Sequence, residues 1–408
     1  MTIQKDTQYY KFCAYGFLKN LRFFDPFLIL FFLDKGMSYF QIGTLYAIRE
    51  ITVNLFEIPS GFMADVLGRK RVMVVSFVSY IFSFFLFYAL SGFGWFVLAF
   101  LFYGFGDAFR TGTHKAMILS YLKRHGMEAD KALYYGHTRS CSQRGSAVSA
   151  LLSAAIVFYT GNYNMIFLAS SIPYMLDLGL LLSYPSYLNG DERNSMKKTV
   201  FSWSSHWQLV KSTFSQMQTF RIIANTSVYT GYYKAVKDYI QPLIVSFALV
   251  VPLGLIEDNE KRTALIVGLV YSLIFLVNSV ASRRSSKVGS WLGSLDNALN
   301  VLLVLGFMLG IMAGVLHWFE INLGAIVVFG GIMVVQNLRR PLGVSYISEK
   351  FDDKIMATAL SADSQSETLV AVIIAPLLGF LADSFGAGLA VGAVSSLLLL
   401  IFIVLKVK

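Results

Sequence analysis

The sequence predicts an all-α membrane protein of twelve transmembrane helices, built as two pseudo-symmetric six-helix bundles. Three observations predict this. Apolar runs of spanning length recur along the whole chain, charged residues are scarce, and most cations fall in alternate breaks between the runs. Hydrophobic residues make up 56% of the 408 residues and charged ones only 14%, whereas a soluble domain carries roughly a quarter charged residues. The net charge of +10 is not gathered into one basic arm or domain. That distribution excludes a nucleic-acid partner and leaves the lipid bilayer as the expected surroundings.

A helix needs about 20 residues to cross hydrocarbon. Runs of that size fall at 9–33, 38–63, 70–91, 95–120, 133–160, 163–187, 219–250, 263–281, 292–316, 319–340, 355–382 and 386–405. The breaks coincide with turn-rich or charged segments such as Asp34-Lys35-Gly36, Ser91-Gly92-Phe93-Gly94, Gly161-Asn162 and Glu257-Asp258-Asn259-Glu260. Met1 to Gln8 is short and polar and no cleavage site follows the first run, so no cleavable signal peptide is expected. With both termini placed inside, the inner segments hold twenty-two Lys and Arg, and the outer loops only Lys35, Lys261 and Arg262. This positive-inside bias predicts a multi-pass protein of the plasma (inner) membrane with both termini cytoplasmic.

The longest polar stretch, Asn189 to Gln218, divides the chain into an N-terminal bundle over 1–188 and a C-terminal bundle over 219–408. In the cytoplasmic linker 189–218, Trp203, Trp207, Val210 and Phe214 recur at helical spacing with Lys211 nearby, which predicts an interfacial helix. The halves echo each other. Gly16-x-x-Lys19-x-x-Arg22 recurs as Gly231-x-x-Lys234-x-x-Lys237, and Pro26 and Pro242 follow within one position of that register. Related halves fit a transporter whose substrate site lies between them near the midplane.

Apart from these twenty-five, which include run-end cations such as Lys11, Arg221, Arg339 and Arg340 counted with the inner loops, nine cations remain within the runs: Lys19, Arg22, Arg49, Arg110, Lys115, Arg139, Arg144, Lys234 and Lys237. Each costs about 3 kcal/mol at a helix centre on insertion scales, so they must face partners, the bundle interior or a watery cavity. Measured from the run ends, Lys115 and Arg139 lie nearer the inner face. The other seven lie near mid-bilayer with the carboxylates Asp25, Glu50, Asp107, Asp238 and Glu367. Lys19, Arg22 and Asp25 are spaced to share one helix face. Asp107–Arg110 and Lys234–Asp238 are spaced to pair within a helix. Such pairs either neutralise each other structurally or serve transport.

Seven central cations against five anions leave a surplus of positive charge, which predicts a small polar and anionic solute. Lys19, Arg22, Arg49, Arg110, Arg144, Lys234 and Lys237 are the candidate substrate contacts. Asp25, Glu50, Asp107, Asp238 and Glu367 are the candidate proton carriers. Burial raises a carboxylate's pKa and a nearby cation lowers it. Glu367 and Asp25 lead this set, because Glu367 has no cation at helical spacing and Asp25 is outnumbered by cations.

Residues 61 to 71 read Gly61-Phe62-Met63-Ala64-Asp65-Val66-Leu67-Gly68-Arg69-Lys70-Arg71, a short charged turn between two apolar runs. This turn resembles the loop between helices 2 and 3 of the major facilitator superfamily of secondary transporters, and the twelve runs extend the resemblance over nearly the whole chain. The family pattern is approximately Gly-x-Leu-Ala-Asp-Arg-x-Gly-Arg-Arg/Lys, with Val66 here in place of the first cation. The resemblance implies a bacterial alternating-access transporter, not an enzyme. It also implies a conformational latch of Gly61, Asp65, Gly68, Arg69 and Lys70. In that latch Gly61 allows close approach of helix 11, and Asp65 ties the inner end of helix 2 to its neighbours.

A second Gly-x-x-x-Asp, at Gly379 to Asp383, falls on the outer side by topology and cannot act as the cytoplasmic latch. Span 5 has Arg144-Gly145-Ser146 and no proline, unlike the family's drug–proton antiporters. A proton-driven multidrug efflux antiporter remains the alternative function. No phosphate-binding Gly-x-x-x-x-Gly-Lys-Ser/Thr loop is present, the five histidines are scattered, and Cys13 and Cys141 offer no metal spacing. No cofactor or metal is expected. The partners are a small-molecule solute and protons, and the protein is expected to act as a monomer.

Overall fold

The structure is a computed structural model that describes residues 5–127, 131–189, 217–251, 258–351 and 353–407. The linker helix predicted around Trp203 to Phe214 lies outside these residues. Every one of the twelve apolar runs is helical. The helices are α1 Thr7–Lys19, α2 Leu28–Asp34, α3 Tyr39–Val66, α4 Arg69–Ala89, α5 Phe93–Arg124, α6 Lys131–Thr160 and α7 Met165–Leu182. They continue as α8 Met217–Val236, α9 Ile240–Val250, α10 Asn259–Trp291, α11 Leu295–Trp318, α12 Asn322–Lys350, α13 Asp353–Phe385, α14 Ala387–Leu400 and α15 Phe402–Leu405.

Six of these helices are both long and apolar enough to cross a membrane by length and composition. Most of the others depart for reasons written in the sequence. The first and seventh runs are broken into α1–α2 and α8–α9, while α3, α5 and α6 carry the in-span charges. The exposed faces of the long helices are themselves apolar. On α4, Val75, Val78, Phe82 and Phe85 form an outward stripe, whereas Phe77, Tyr80, Phe84 and Phe87 face inward. A stripe of that kind belongs against hydrocarbon, not water.

The chain divides into two compact units, Met1–Phe27 with Ile51–Phe201, and Leu28–Glu50 with Ser202–Lys408. Packing therefore divides the molecule differently from chain order, because α2 and the start of α3 belong to unit 2. Two local devices account for this. Gln241 Oε1 accepts from the backbone N–H of Ile29 at 2.9 Å, tying α2 to α9. Asp383 accepts from the N–H groups of Tyr39 at 2.7 Å and Phe40 at 2.9 Å, capping the N-terminus of α3. At Gly379 an added Cβ would stand 2.2 Å from the Tyr39 carbonyl oxygen, so only glycine permits this approach. The second Gly-x-x-x-Asp thus performs, at the start of α3, the close approach and capping that such a motif is suited to.

The repeat noticed in the sequence also marks equivalent joints. In unit 1 a Cβ at Gly16 of α1 would meet Ser142 Oγ of α6 at 2.8 Å. In unit 2 a Cβ at Gly231 of α8 would meet the Glu367 carbonyl of α13 at 2.6 Å. Each glycine lets two helices touch, and a lysine follows one turn later. Each helix then breaks. α1 ends at Lys19 and a 3₁₀ turn follows at Asp25–Phe27, while α8 ends at Val236 and runs straight into a 3₁₀ turn at Lys237–Tyr239.

Candidate functional site

In unit 1 the break after α1 gathers the charges. Lys19, its last helical residue, is buried at 6% exposure and lies within electrostatic reach of Arg22, Asp25, Asp107 and Arg110. Tyr174 donates its hydroxyl to the Lys19 carbonyl at 3.2 Å, satisfying an oxygen that the helix end leaves open. Because α1 stops there, Lys19, Arg22 and Asp25 do not share one helical face as their spacing predicts. Arg22 and Asp25 lie beyond the helix and approach only to 3.8 Å, while Arg22 Nη1 donates to Tyr103 Oη at 3.3 Å. Asp107 and Arg110 on α5 do pair as predicted, at 2.9 Å. Tyr80 of α4 completes that pair, donating to Asp107 Oδ1 at 2.6 Å and accepting from Arg110 Nε at 3.1 Å.

Asp177 on α7 escaped the sequence reading and is fully buried. Neither of its carboxylate oxygens has a hydrogen-bond partner among the described residues, although Lys19 and Arg110 are within electrostatic reach. The available signal was a lone Asp in an otherwise apolar run. Arg144, predicted as a central contact, is an exposed residue of α6.

Unit 2 holds a second cluster. Lys234 Nζ stands 3.4 Å from Glu50 Oε2 on α3 and 3.6 Å from Glu367 Oε2 on α13, and 3.4 Å from Thr368 Oγ1. Arg49 Nη2 braces Glu50 from its own helix at 2.8 Å. The predicted Lys234–Asp238 pair does not form. The helix ends between them, so Asp238 sits in the 3₁₀ turn and pairs with its neighbour Lys237 at 2.8 Å. Glu367 has no cation at helical spacing on its own helix and takes one from α8 instead.

Two further charges in unit 2 were missed. Arg339 was read as a loop cation, but α12 continues to Lys350 and buries it at 3% exposure. Its guanidinium donates to the carbonyls of Leu299 and Asn225 and to Asn225 Oδ1 at 3.0 Å. Asp363, one turn before Glu367 on α13, accepts from Thr226 Oγ1 at 2.5 Å. With these residues counted, the described mid-span positions hold eight cations and seven anions. Unit 1 sets Lys19, Arg22, Arg110 and Arg144 against Asp25, Asp107 and Asp177, and unit 2 sets Arg49, Lys234, Lys237 and Arg339 against Glu50, Asp238, Asp363 and Glu367. The positive surplus behind the expected anionic solute falls from two charges to one.

The latch residues separate into two groups. Gly68 adopts φ +92°, and an added Cβ would clash with the Asn189 side chain at 2.6 Å. Asn189 Oδ1 accepts from the Lys70 N–H at 2.9 Å, and Lys70 Nζ donates to the carbonyls of Leu182 at 2.5 Å and Tyr184 at 3.0 Å. Arg69 donates to the Ala116 carbonyl at 3.2 Å and to Ser120 Oγ. These three residues fasten the start of α4 to the ends of α5 and α7. Gly61 and Asp65 are exposed, and within unit 1 nothing stands within 4 Å of a Cβ at Gly61. Among the described residues searched, no group of three His, Cys, Asp or Glu could hold a metal ion.

Comparison with known proteins places the chain. The family model described as Major Facilitator Superfamily matches residues 12–362. A relative in Bacillus subtilis (strain 168), described as the uncharacterized MFS-type transporter YxaM, is 30% identical over 104 residues. That match spans 25% of this chain and 26% of the relative. Among solved structures, the nucleoside transporter NupG superposes with a TM-score of 0.76 at 13% identity, over 99% of this chain and 100% of the other. The D-xylose-proton symporter gives 0.68 at 14% identity, over 98% and 96%. A POT family transporter in complex with 5-aminolevulinic acid gives 0.67 at 14% identity, over 98% and 94%.

Proposed function

This chain belongs to the Major Facilitator Superfamily of alternating-access secondary transporters, and on that premise we propose that it moves a small polar solute with coupling to protons. It is a multi-pass integral membrane protein and not an enzyme. The observation that carries the coupling is Lys234, one ammonium held between the carboxylates of Glu50 and Glu367. Arg49 and Lys234 together neutralise Glu50 and Glu367. A proton on Glu367 breaks that balance and frees Lys234 for a polar or anionic group of the solute, so occupancy of the cluster responds to both.

The small positive surplus of the mid-span charges supports a polar solute that carries an anionic group. A buried layer this rich in charge suits a polar cargo better than a lipophilic drug. The solutes named for the structures of the same fold, a nucleoside transporter's substrate, 5-aminolevulinic acid and D-xylose, make a natural first panel. The cation bias of the breaks supports both termini on the cytoplasmic side of a bacterial inner membrane.

The test is reconstitution into liposomes with a radiolabelled panel of nucleosides, aminolevulinate, pentoses and organic anions. Accumulation driven by an imposed pH gradient is compared with solute counterflow, which needs no net proton movement. Glu367→Gln and Glu50→Gln are each expected to abolish pH-driven accumulation while keeping counterflow. Retention of pH-driven accumulation in both variants would reject coupling through the cluster. Drug-stimulated flux with no polar counterflow would promote the efflux antiporter instead.

A further inference from the structure

Unit 2 contains a cavity of about 150 Å³ beside the Glu50–Lys234–Glu367 cluster. Its wall includes Thr226 and Thr230 of α8, Arg340 of α12, and Asp363, Ser364 and Glu367 of α13. Thr226 and Thr230 are one helical turn apart, as are Asp363 and Glu367, so two polar pairs face each other across the α8–α13 joint. Thr226 donates to Asp363 at 2.5 Å, and Thr230 accepts from Gln336 Nε2 at 3.2 Å. Gln336 is itself buried, and its Oε1 has no partner among the described residues. Glu367 and Asp363 are both more than nine-tenths buried, whereas Arg340 on the same wall is exposed. The space therefore runs from the cluster to the surface, with room and polar partners for several waters.

The geometry points to this cavity as the path by which protons pass between the surface of unit 2 and Glu367, with Asp363 as the intermediate carrier. The inference rests on the proton-coupled reading and adds its route. Glu367 already shares the Lys234 ammonium with Glu50, so its proton must arrive from another side. α14, which also packs on α13, carries no titratable residue. The charged groups facing Asp363 are Glu367 on its own helix, Lys234 on α8, and Arg339 and Arg340 on α12. Arg339 is held by the carbonyls of Leu299 and Asn225. In the step itself, a proton leaves the Asp363 carboxyl oxygen, crosses cavity water and binds a Glu367 carboxylate oxygen. Asp363 remains as a carboxylate beside the Thr226 hydroxyl and takes the next proton from water on the Arg340 side. No other reactant is needed.

The test uses the full chain in lipid with Cys13→Ser and Cys141→Ser, and Leu360→Cys placed in the cavity wall. Infrared difference spectra are recorded as pH steps from about 8 to about 5, a range that brackets buried carboxyl titration. Two protonated-carboxyl bands are expected. One is lost in Asp363→Asn, which also delays the other, and returns in Asp363→Glu; the other is lost in Glu367→Gln. Reaction of the Leu360→Cys protein with N-ethylmaleimide leaves every carboxylate in place. It is expected to abolish both bands on the step while the circular dichroism is unchanged. The Glu367 band persisting behind the adduct, or Asp363→Asn removing no band, overturns the route. None of these readings needs a solute. Normal bands without pH-driven accumulation would reject the coupling and leave the route standing.

Discussion

Asp107 and Asp177 show how differently two carboxylates in one unit can be treated. Asp107 is braced by Arg110 and Tyr80, so Asp107→Asn removes a charge-assisted pair and leaves a guanidinium short of its counter-ion. A loss of roughly 1–3 kcal/mol is expected, read by thermal unfolding in detergent. Asp177 has no donor on either oxygen among the described residues. An ionised carboxylate in that setting is costly, so Asp177→Asn is expected to leave the melting temperature unchanged or raise it. A clear drop for Asp177→Asn would mean that Lys19 or Arg110 bonds it directly. The Asp107–Arg110 pair was legible in the sequence because i, i+3 spacing lies within one helix. Asp177 was legible only as a lone Asp in an apolar run, because the Lys19 and Arg110 it faces lie on other helices that local spacing does not place.

Helix joints decide which of these side chains meet. Gly231 brings α8 against α13, and a Cβ there would lie 2.6 Å from both the Glu367 carbonyl and Val370 Cβ. Gly231→Ala is expected to push the helices apart, costing about 1–3 kcal/mol. It should also weaken proton-driven accumulation by lengthening the Lys234–Glu367 contact. Equal stability and equal accumulation would show that the joint is slack. At the other end of α13, Asp383→Asn removes the charged cap from the Tyr39 and Phe40 amides. A cost of about 1 kcal/mol is expected, seen as faster hydrogen exchange at the first turn of α3. The helices themselves were legible from apolar run length. Their breaks were not, since α1 and α8 end within continuous runs where Lys19 and Lys237 give no turn signal of the usual kind.

At the scale of the whole chain, unit 2 is closed by its last residues. Asn225 donates to the Leu405 carbonyl at 2.9 Å, and Asn300 donates to the Val407 carbonyl at 2.7 Å while accepting the Val407 N–H at 3.1 Å. Removing residues 402–408 takes these backbone partners from two buried amides, at about 1–3 kcal/mol for each lost partner. Among the described residues the amides then keep only their bond to each other and that from Arg339 to Asn225. The truncated protein is expected to unfold at lower temperature, measured beside the full chain in the same detergent.

The sequence by itself determined the membrane class, the places of all twelve helical runs, the repeated Gly-x-x-Lys joint and the family. The first three follow from composition and short-range periodicity, which the local chain carries, and the family from the resemblance of the turn at Gly61 to Arg71. Only the tertiary structure decided that Lys234 turns from Asp238 to Glu50 and Glu367, that residues 28–50 pack with unit 2, and that Arg339, Asp177 and Asp363 are buried. A charge chooses its partner by which helices glycine lets touch and where a helix stops. Both depend on contacts between segments that are hundreds of residues apart.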